Sequence, residues 1–178
     1  NPAVLTRNPR WVPRLEAAAA LAELVERPAA RVTGVLGIGK TRLVWETLHA
    51  PRRLALWRTN GPEAPDRTLA ELLAAERRRP LWLVYDGLEA AEAATWAEIG
   101  ELLARPDLGT DLHALLVGRS ATRWPAAAAA LPEIRLEKLE GEERERFHAQ
   151  LFHGLPPPPA VAERLAQGAG GHPVALEE

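Results

Sequence analysis

One stretch of the chain combines the residue types and the spacing that bind phosphate groups. Residues 34–41 read GVLGIGKT and fit the pattern G-x-x-x-x-G-K-[ST] at every position. Glycines let the backbone curl with its N–H groups turned toward an anion, and the helix that follows adds the positive end of its dipole. Lys40 would reach the β- and γ-phosphates of a nucleotide, and the Thr41 hydroxyl would ligate magnesium. The spacing therefore predicts a site for ATP or ADP with Mg2+.

A carboxylate stands at the end of an apolar run further along the chain. The run LWLVYD ends in Asp86, and an acid in that position suits a contact to the water shell of the same magnesium ion. Gly87 follows, where many ATPases carry a second carboxylate that activates water. Glu89 could substitute for that carboxylate, or it is a solvated loop residue. These residues predict a weak ATPase in which Lys40 and Asp86 are catalytic and Glu89 contributes in part.

Apolar runs alternate with helical patterns before residue 138, which is typical of a parallel sheet covered by helices. Strands are predicted at 30–35, 54–59, 81–85, 112–117 and 132–136, and helices at 11–27, 41–50, 66–78 and 90–104. Asp66 is the expected N-cap of the third of these helices. Two more helices, 141–152 and 160–167, follow on either side of a tetraproline, which is a rigid extended connector.

Composition excludes several other kinds of site. The formal net charge is -2, so no basic surface predicts nucleic-acid binding. Cysteine is absent, which excludes thiol catalysis and iron–sulfur clusters, and the five histidines lack metal-ligand spacing. No apolar run approaches the ~18 residues of a membrane span and no signal peptide opens the chain, so a cytoplasmic protein is expected. Because the chain lacks an initiator methionine and ends where a helix reads as beginning, we expect a domain excised from a longer protein.

Together these stretches resemble the signal-transduction ATPases with numerous domains, relatives of the AAA-plus group that are often found in bacterial transcription regulators. The run RVTGVLGIGKTRL at 31–43 is similar to that family's phosphate loop, and LVYDGLE at 83–89 to its magnesium strand. The run LLVGR at 115–119 takes the place of the sensor strand and keeps its final arginine, Arg119. GGHPVAL at 170–176 resembles a segment whose proline, here Pro173, packs near adenine, and VLTR at 4–7 resembles a segment that ends in an arginine, here Arg7.

The resemblance implies both a fold and a set of site residues. The fold is the three-layer α/β fold of P-loop NTPases, with a five-stranded parallel sheet in the order 5-1-4-3-2 in residues 1–138 and the start of a small helical subdomain in 139–178. Arg119 would stabilise phosphate charge. The residues that would bind the nucleotide are Gly34, Gly37, Ile38, Gly39, Lys40, Thr41, Arg42, Pro173 and Arg7.

Three functions are open on these residues. The favoured one is an ATP/ADP-binding regulatory switch with slow Mg-dependent hydrolysis, part of a larger signalling or transcription-regulatory protein. Its partners would be other domains of the same chain and, depending on the nucleotide, further copies, without direct contact to nucleic acid. The alternative is an active enzyme, although an AAA-plus-type ATPase would be expected to carry Asp-Glu at the magnesium strand and a P-loop kinase an arginine-rich lid. A purely structural scaffold would not need Lys40 or Thr41.

Overall fold

Strands and helices alternate along the part of the chain that the computed structural model describes, residues 14–49, 51–59 and 68–151. In chain order the elements are α1 (Leu15–Leu24), β1 (Ala29–Gly34), α2 (Lys40–His49), β2 (Leu54–Thr59), α3 (Leu69–Ala75), β3 (Leu81–Asp86), a 3-10 turn (Leu88–Ala90), α4 (Ala93–Leu103), β4 (Leu112–Arg119), α5 (Ala126–Ala129), β5 (Glu133–Leu136) and α6 (Gly141–Leu151). The predicted helix at 160–167 and the tetraproline lie outside these residues. The division at residue 138 stays a prediction, and α6 follows it.

All five strands belong to one parallel sheet with the order β2-β3-β4-β1-β5. This is the predicted order 5-1-4-3-2, counted from the opposite edge. Strand β1 lies between β4 and β5, and all six of its residues are buried. Strand β3 is buried from Leu81 to Tyr85, as its unbroken apolar sequence predicts for a strand covered on both faces.

Successive side chains of the strands enter two separate cores, one on each face of the sheet. On β3, Trp82 and Val84 pack with residues of α1 and α2, whereas Leu81, Leu83 and Tyr85 pack with residues of α3 and α4. Each fully buried side chain of this size contributes about 1.5–3 kcal/mol of transfer free energy. The sheet is therefore held from both faces. In the described ranges, no helix has the length and apolar character needed to span a membrane.

The start of α3 corrects one predicted helix cap. The N-cap is Thr68, whose hydroxyl accepts a hydrogen bond from the Glu71 backbone N–H at 3.2 Å, while the Glu71 carboxylate accepts one from the Thr68 N–H at 2.8 Å. This reciprocal capping box satisfies two N–H groups that a helix start leaves free. The assignment of the cap to Asp66 is therefore wrong, and the helix ends at Ala75 rather than near 78.

The carboxyl ends of β1, β3 and β4 meet at one edge of the sheet, here called the carboxyl edge. Strand β4 runs past its predicted end at 117 because β1 continues to pair with it, so that Gly34 lies opposite Arg119. Asp86 is the last residue of β3, and β3 pairs with β4 on the side of β4 that faces away from β1. Three residues that are far apart in sequence are thereby brought to one place.

Candidate functional site

The loop between β1 and α2 starts at a glycine that no other residue can replace without distortion. A Cβ on Gly34 would lie 2.8 Å from the Leu136 carbonyl oxygen and 2.8 Å from Ile38 Cγ2, both well inside van der Waals contact. The loop then turns through Gly37 and Gly39, whose φ angles are +71° and +97°. The loop is thus a tight turn pressed against β5, and it leads directly into the amino end of α2.

Ile38 fixes the loop to the protein interior. Its side chain is 1% exposed and belongs to the core shared with α1 and α2. Ile38 therefore offers only its backbone to a ligand. Val35 and Leu36, at the tip of the loop, are 45% and 61% exposed.

Lys40 lies inside the curve of this loop. Its Nζ donates to the carbonyl oxygens of Gly34 at 3.1 Å and Val35 at 2.9 Å, and the residue is 9% exposed. Burial lowers the pKa of Lys40, and the nearby charges of Glu89 and Asp86 oppose that shift. A cation held at the mouth of the loop favours an anionic ligand there.

Thr41 and Asp86 form the second polar pair at the carboxyl edge. The Thr41 hydroxyl donates to Asp86 Oδ2 at 2.7 Å, and the Gly87 N–H donates to Oδ1 at 2.8 Å. Burial raises the pKa of Asp86, while these two hydrogen bonds and the charge of Lys40 oppose the rise. Both carboxylate oxygens are thereby held in a fixed orientation.

A turn after β3 places Glu89 beside Arg119. Gly87 has a left-handed backbone with φ of +75°, and the 3-10 turn that follows buries Leu88. Glu89 Oε1 accepts a hydrogen bond from Arg119 Nε at 3.0 Å, and the two side chains are 25% and 44% exposed. Glu89 is thus engaged by a cation at the carboxyl edge instead of being a free loop residue.

The remaining predicted residues lie apart from these pairs or outside the described ranges. The Arg42 guanidinium forms an ion pair with Glu46 and lies 4.9 Å from the centre of the Trp45 ring, so its side chain extends along α2. Arg7 and Pro173 lie outside the described residues.

Arg14 is a residue that the sequence reasoning missed. It directly precedes α1, and its side chain is 7% exposed. Its Nη2 donates to the Glu137 carbonyl oxygen and its Nε lies 3.5 Å from Glu143, while Nη1 is buried without a hydrogen-bond partner among the described residues. The sequence feature that could have identified Arg14 is its position directly before a helix. The dipole at a helix start favours acidic side chains, so a basic residue there is unusual.

A cavity of about 680 Å³ lies next to Arg14. It is open to solvent and is lined by the start of α1, the end of β5 and the start of α6. Leu136 lines this cavity and also packs against Gly34, so the cavity adjoins the glycine loop. None of residues 34–41 lines the cavity itself, so Leu136 is the link between the two.

The donor set is suited to a small hard cation held jointly with a ligand. Nowhere in residues 14–49, 51–59 and 68–151 do three or more His, Cys, Asp or Glu side chains form a metal-binding group. The neighbouring Thr41 hydroxyl and Asp86 carboxylate are oxygen donors, which Mg2+ prefers. Magnesium is usually bound by one or two protein oxygens together with phosphates and water, and this pair fits that pattern.

Solved structures of other proteins share this architecture. The Walker-type ATPase of Pyrococcus abyssi superposes with a TM-score of 0.67 at 14% identity, over 96% of this chain and 67% of that one. The RuvB Holliday junction branch migration motor of Thermotoga maritima gives 0.65 at 15% identity, over 93% of this chain and 59% of the motor. No protein-family model and no curated protein matches the sequence. The likeness establishes the α/β fold of P-loop ATPases, and this chain spans about two thirds or less of both neighbours.

Proposed function

We propose that this chain binds ATP or ADP with Mg2+ on residues 34–41 and acts as the nucleotide-responsive switch of a larger signalling or transcription-regulatory protein. The observation that carries the proposal is the position of Lys40 inside the glycine loop, next to the hydrogen-bonded pair of Thr41 and Asp86. Such a loop binds phosphate oxygens through backbone N–H groups and the amino end of a helix.

Each polar residue has a separate task at the phosphates. Lys40 would exchange its two carbonyl partners for β- and γ-phosphate oxygens, which carry more charge. Thr41 would ligate magnesium through its hydroxyl oxygen, while Asp86 would accept a hydrogen bond from that hydroxyl and from water around the ion. Magnesium, when bound, supplies charge neutralisation on the phosphates. Arg119 would stabilise the terminal phosphate from the end of β4.

The cavity beside the loop is the proposed place for the base and ribose. Its volume lies within the range of small-molecule sites, and its wall at Leu136 is in contact with Gly34. Arg14 Nη1 would donate to a ring nitrogen or a ribose hydroxyl, which would satisfy a buried donor. Adenine is favoured over guanine by the family resemblance, and contacts by Pro173 and Arg7 stay predictions.

Hydrolysis is proposed to be slow because no free carboxylate follows Asp86. Gly87 occupies the next position and carries no side chain, and Glu89 lies two residues further along, in the 3-10 turn. Lack of a positioned base costs about 10²–10⁴-fold, and typical enzymes turn over at ~10 s⁻¹. Turnover of about 0.1 s⁻¹ or less is therefore expected. Such a rate suits a protein in which the bound nucleotide reports a state to neighbouring domains or to further copies in the cytoplasm, without direct nucleic-acid contact.

An active ATPase is the second candidate, and the names of the two structural neighbours favour it, since one is called a Walker-type ATPase and the other a motor. Two measurements separate the candidates. Nucleotide released by denaturing the purified protein is identified by chromatography, and phosphate release is then followed with added ATP and Mg2+. The switch predicts bound ADP or ATP and slow release. Turnover of about 1 s⁻¹ or more without a partner favours the enzyme, and a guanine nucleotide contradicts the adenine assignment.

A further inference from the structure

The ion pair between Glu89 and Arg119 lies within reach of the groups assigned to phosphate and metal. The charges of Glu89 and Arg119 both act on Lys40, and the charge of Glu89 also acts on Asp86. Arg119 stands directly opposite Gly34 in the pairing of β4 with β1, and the Ser120 N–H donates to the Gly34 carbonyl oxygen at 3.3 Å. The pair is therefore part of the wall of the phosphate loop.

The turn after β3 holds Glu89 in this position. Its left-handed Gly87 is hydrogen-bonded to Asp86, and Leu88 anchors the turn with 1% exposure. Glu89 is consequently fixed relative to Asp86 and extends toward β4, where it meets Arg119. Gly87 has no carboxylate, and its left-handed backbone turns the chain so that Glu89 reaches Arg119.

We propose that Glu89 is a positioning residue that competes with the terminal phosphate for Arg119, and that it thereby shifts the preference of the site toward ADP. The inference rests on the proposed function, because it concerns the nucleotide bound at residues 34–41. It assigns Glu89 a role in nucleotide discrimination that is separate from water activation.

Charge balance explains the direction of the effect. Two cations, Lys40 and Arg119, and two anions, Asp86 and Glu89, meet at the loop and cancel formally. ATP carries one more phosphate than ADP. This terminal phosphate is repelled by the charge of Glu89 and attracted by that of Arg119. Because both side chains of the pair are partly exposed, their mutual attraction is weak, and a phosphate can displace Glu89 from Arg119.

The test compares the affinities for ADP and for a non-hydrolysable ATP analogue, each measured by isothermal titration with Mg2+. Glu89→Gln removes the repulsive charge and frees Arg119, so the ratio of affinities is expected to move toward the ATP analogue by about fivefold, the effect of one unit charge ~4 Å away that is screened as in bulk water. Arg119→Gln should move the ratio toward ADP by a similar factor. Glu92→Gln is the matched control, because Glu92 is exposed and makes no side-chain cap bond to α4, and its ratio should stay unchanged.

The two variants together test the coupling between the residues. In the double variant Glu89→Gln, Arg119→Gln the shifts should not add, since each single change acts through the other side chain. A ratio for folded Glu89→Gln within twofold of the wild type, or one that moves toward ADP, overturns the inference. If Glu89→Gln fails to fold by circular dichroism, Arg119→Gln decides, and a ratio within twofold of the wild type or one that moves toward the ATP analogue then overturns the inference. A wild-type protein that binds neither nucleotide overturns the proposed function and this inference with it, whereas binding of both with an unmoved ratio overturns only the inference.

Discussion

Replacing Asp86 by asparagine should separate magnesium-dependent binding from the rest of nucleotide recognition. The carboxylate accepts from the Thr41 hydroxyl at 2.7 Å and from the Gly87 N–H at 2.8 Å. An amide offers one oxygen and one NH2 group, so one of these two donors loses its acceptor, and the negative charge near the metal is removed. Loss of such a supporting contact typically costs 10–100-fold in metal affinity. We expect that loss for ATP with Mg2+, equivalent to about 1.4–2.7 kcal/mol.

The same substitution should not destabilise the protein without nucleotide. Burial raises the pKa of Asp86 above its ordinary 3.8, so the folded state binds the proton more tightly than the unfolded state does. The contribution of Asp86 to the free energy of unfolding is therefore fully present below pH 3.8, and it is lost as the pH rises through the pKa of Asp86 in the folded state. At neutral pH the charged carboxylate opposes folding, and Asp86→Asn removes this opposition. The melting temperature of the variant at pH 7 should stay close to that of the wild type, because removal of the buried charge offsets the cost of one unpaired donor.

Isothermal titration with ATP and Mg2+, and with ADP and a chelator, provides the assay. Asp86→Asn should weaken the first by 10–100-fold and leave the second within about threefold. Asp111→Asn is the control, since Asp111 is exposed and lies at the opposite edge of the sheet, where its carbonyl oxygen accepts from the Leu81 N–H. Equal losses under both conditions would refute the reasoning and leave Asp86 a structural role only.

Three glycine changes and one pH dependence give further predictions. Gly34→Ala should lower the melting temperature and abolish nucleotide binding, because its Cβ would lie 2.8 Å from the Leu136 carbonyl oxygen; normal binding would contradict the proposed loop geometry. Gly87→Ala should lower the free energy of unfolding in urea by about 1–2 kcal/mol, because φ is +75° there. Gly100→Ala, on the exposed face of α4, should raise it by up to ~1 kcal/mol, and equal effects would contradict the left-handed backbone at Gly87. Burial lowers the pKa of Lys40, so the contribution of Lys40 to the free energy of unfolding rises with pH between its pKa in the folded state and the ordinary 10.5. Urea denaturation from pH 8 to 11 should show this rise for the wild type and not for Lys40→Met.

The sequence was sufficient to identify the five strands because each one is recognisable by itself. The run at 81–86 is apolar at every position that the structure buries, and the glycine loop stands between a strand and a helix, as its pattern demands. The order of the strands came from the family resemblance, since the runs themselves do not state which strand lies next to which. Strand ends were less well predicted: β4 continues to Arg119 only because β1 is there to pair with it.

Contacts between distant elements account for what the sequence did not predict. Arg14 bonds the backbone of Glu137, which lies 123 positions away, and no local pattern indicates that pairing. Glu89 and Arg119 are 30 positions apart and meet because β3 and β4 are neighbours. The cap of α3 is different, since Thr68 and Glu71 have the spacing of a capping box and could have been identified from sequence alone.

Equilibrium binding of a fluorescent ATP analogue to the wild type and to Lys40→Ala tests the central claim most directly. Lys40 is held inside the loop by the Gly34 and Val35 carbonyl oxygens, so its removal should abolish binding while circular dichroism shows an intact fold. Arg77 is exposed and precedes β3, so it lies near the amino ends of the strands and away from the carboxyl edge. Arg77→Ala should therefore bind the analogue as the wild type does. We expect saturable binding by the wild type and by Arg77→Ala, and none by Lys40→Ala. Unchanged affinity in a folded Lys40→Ala protein would contradict the assignment of residues 34–41 as the nucleotide site.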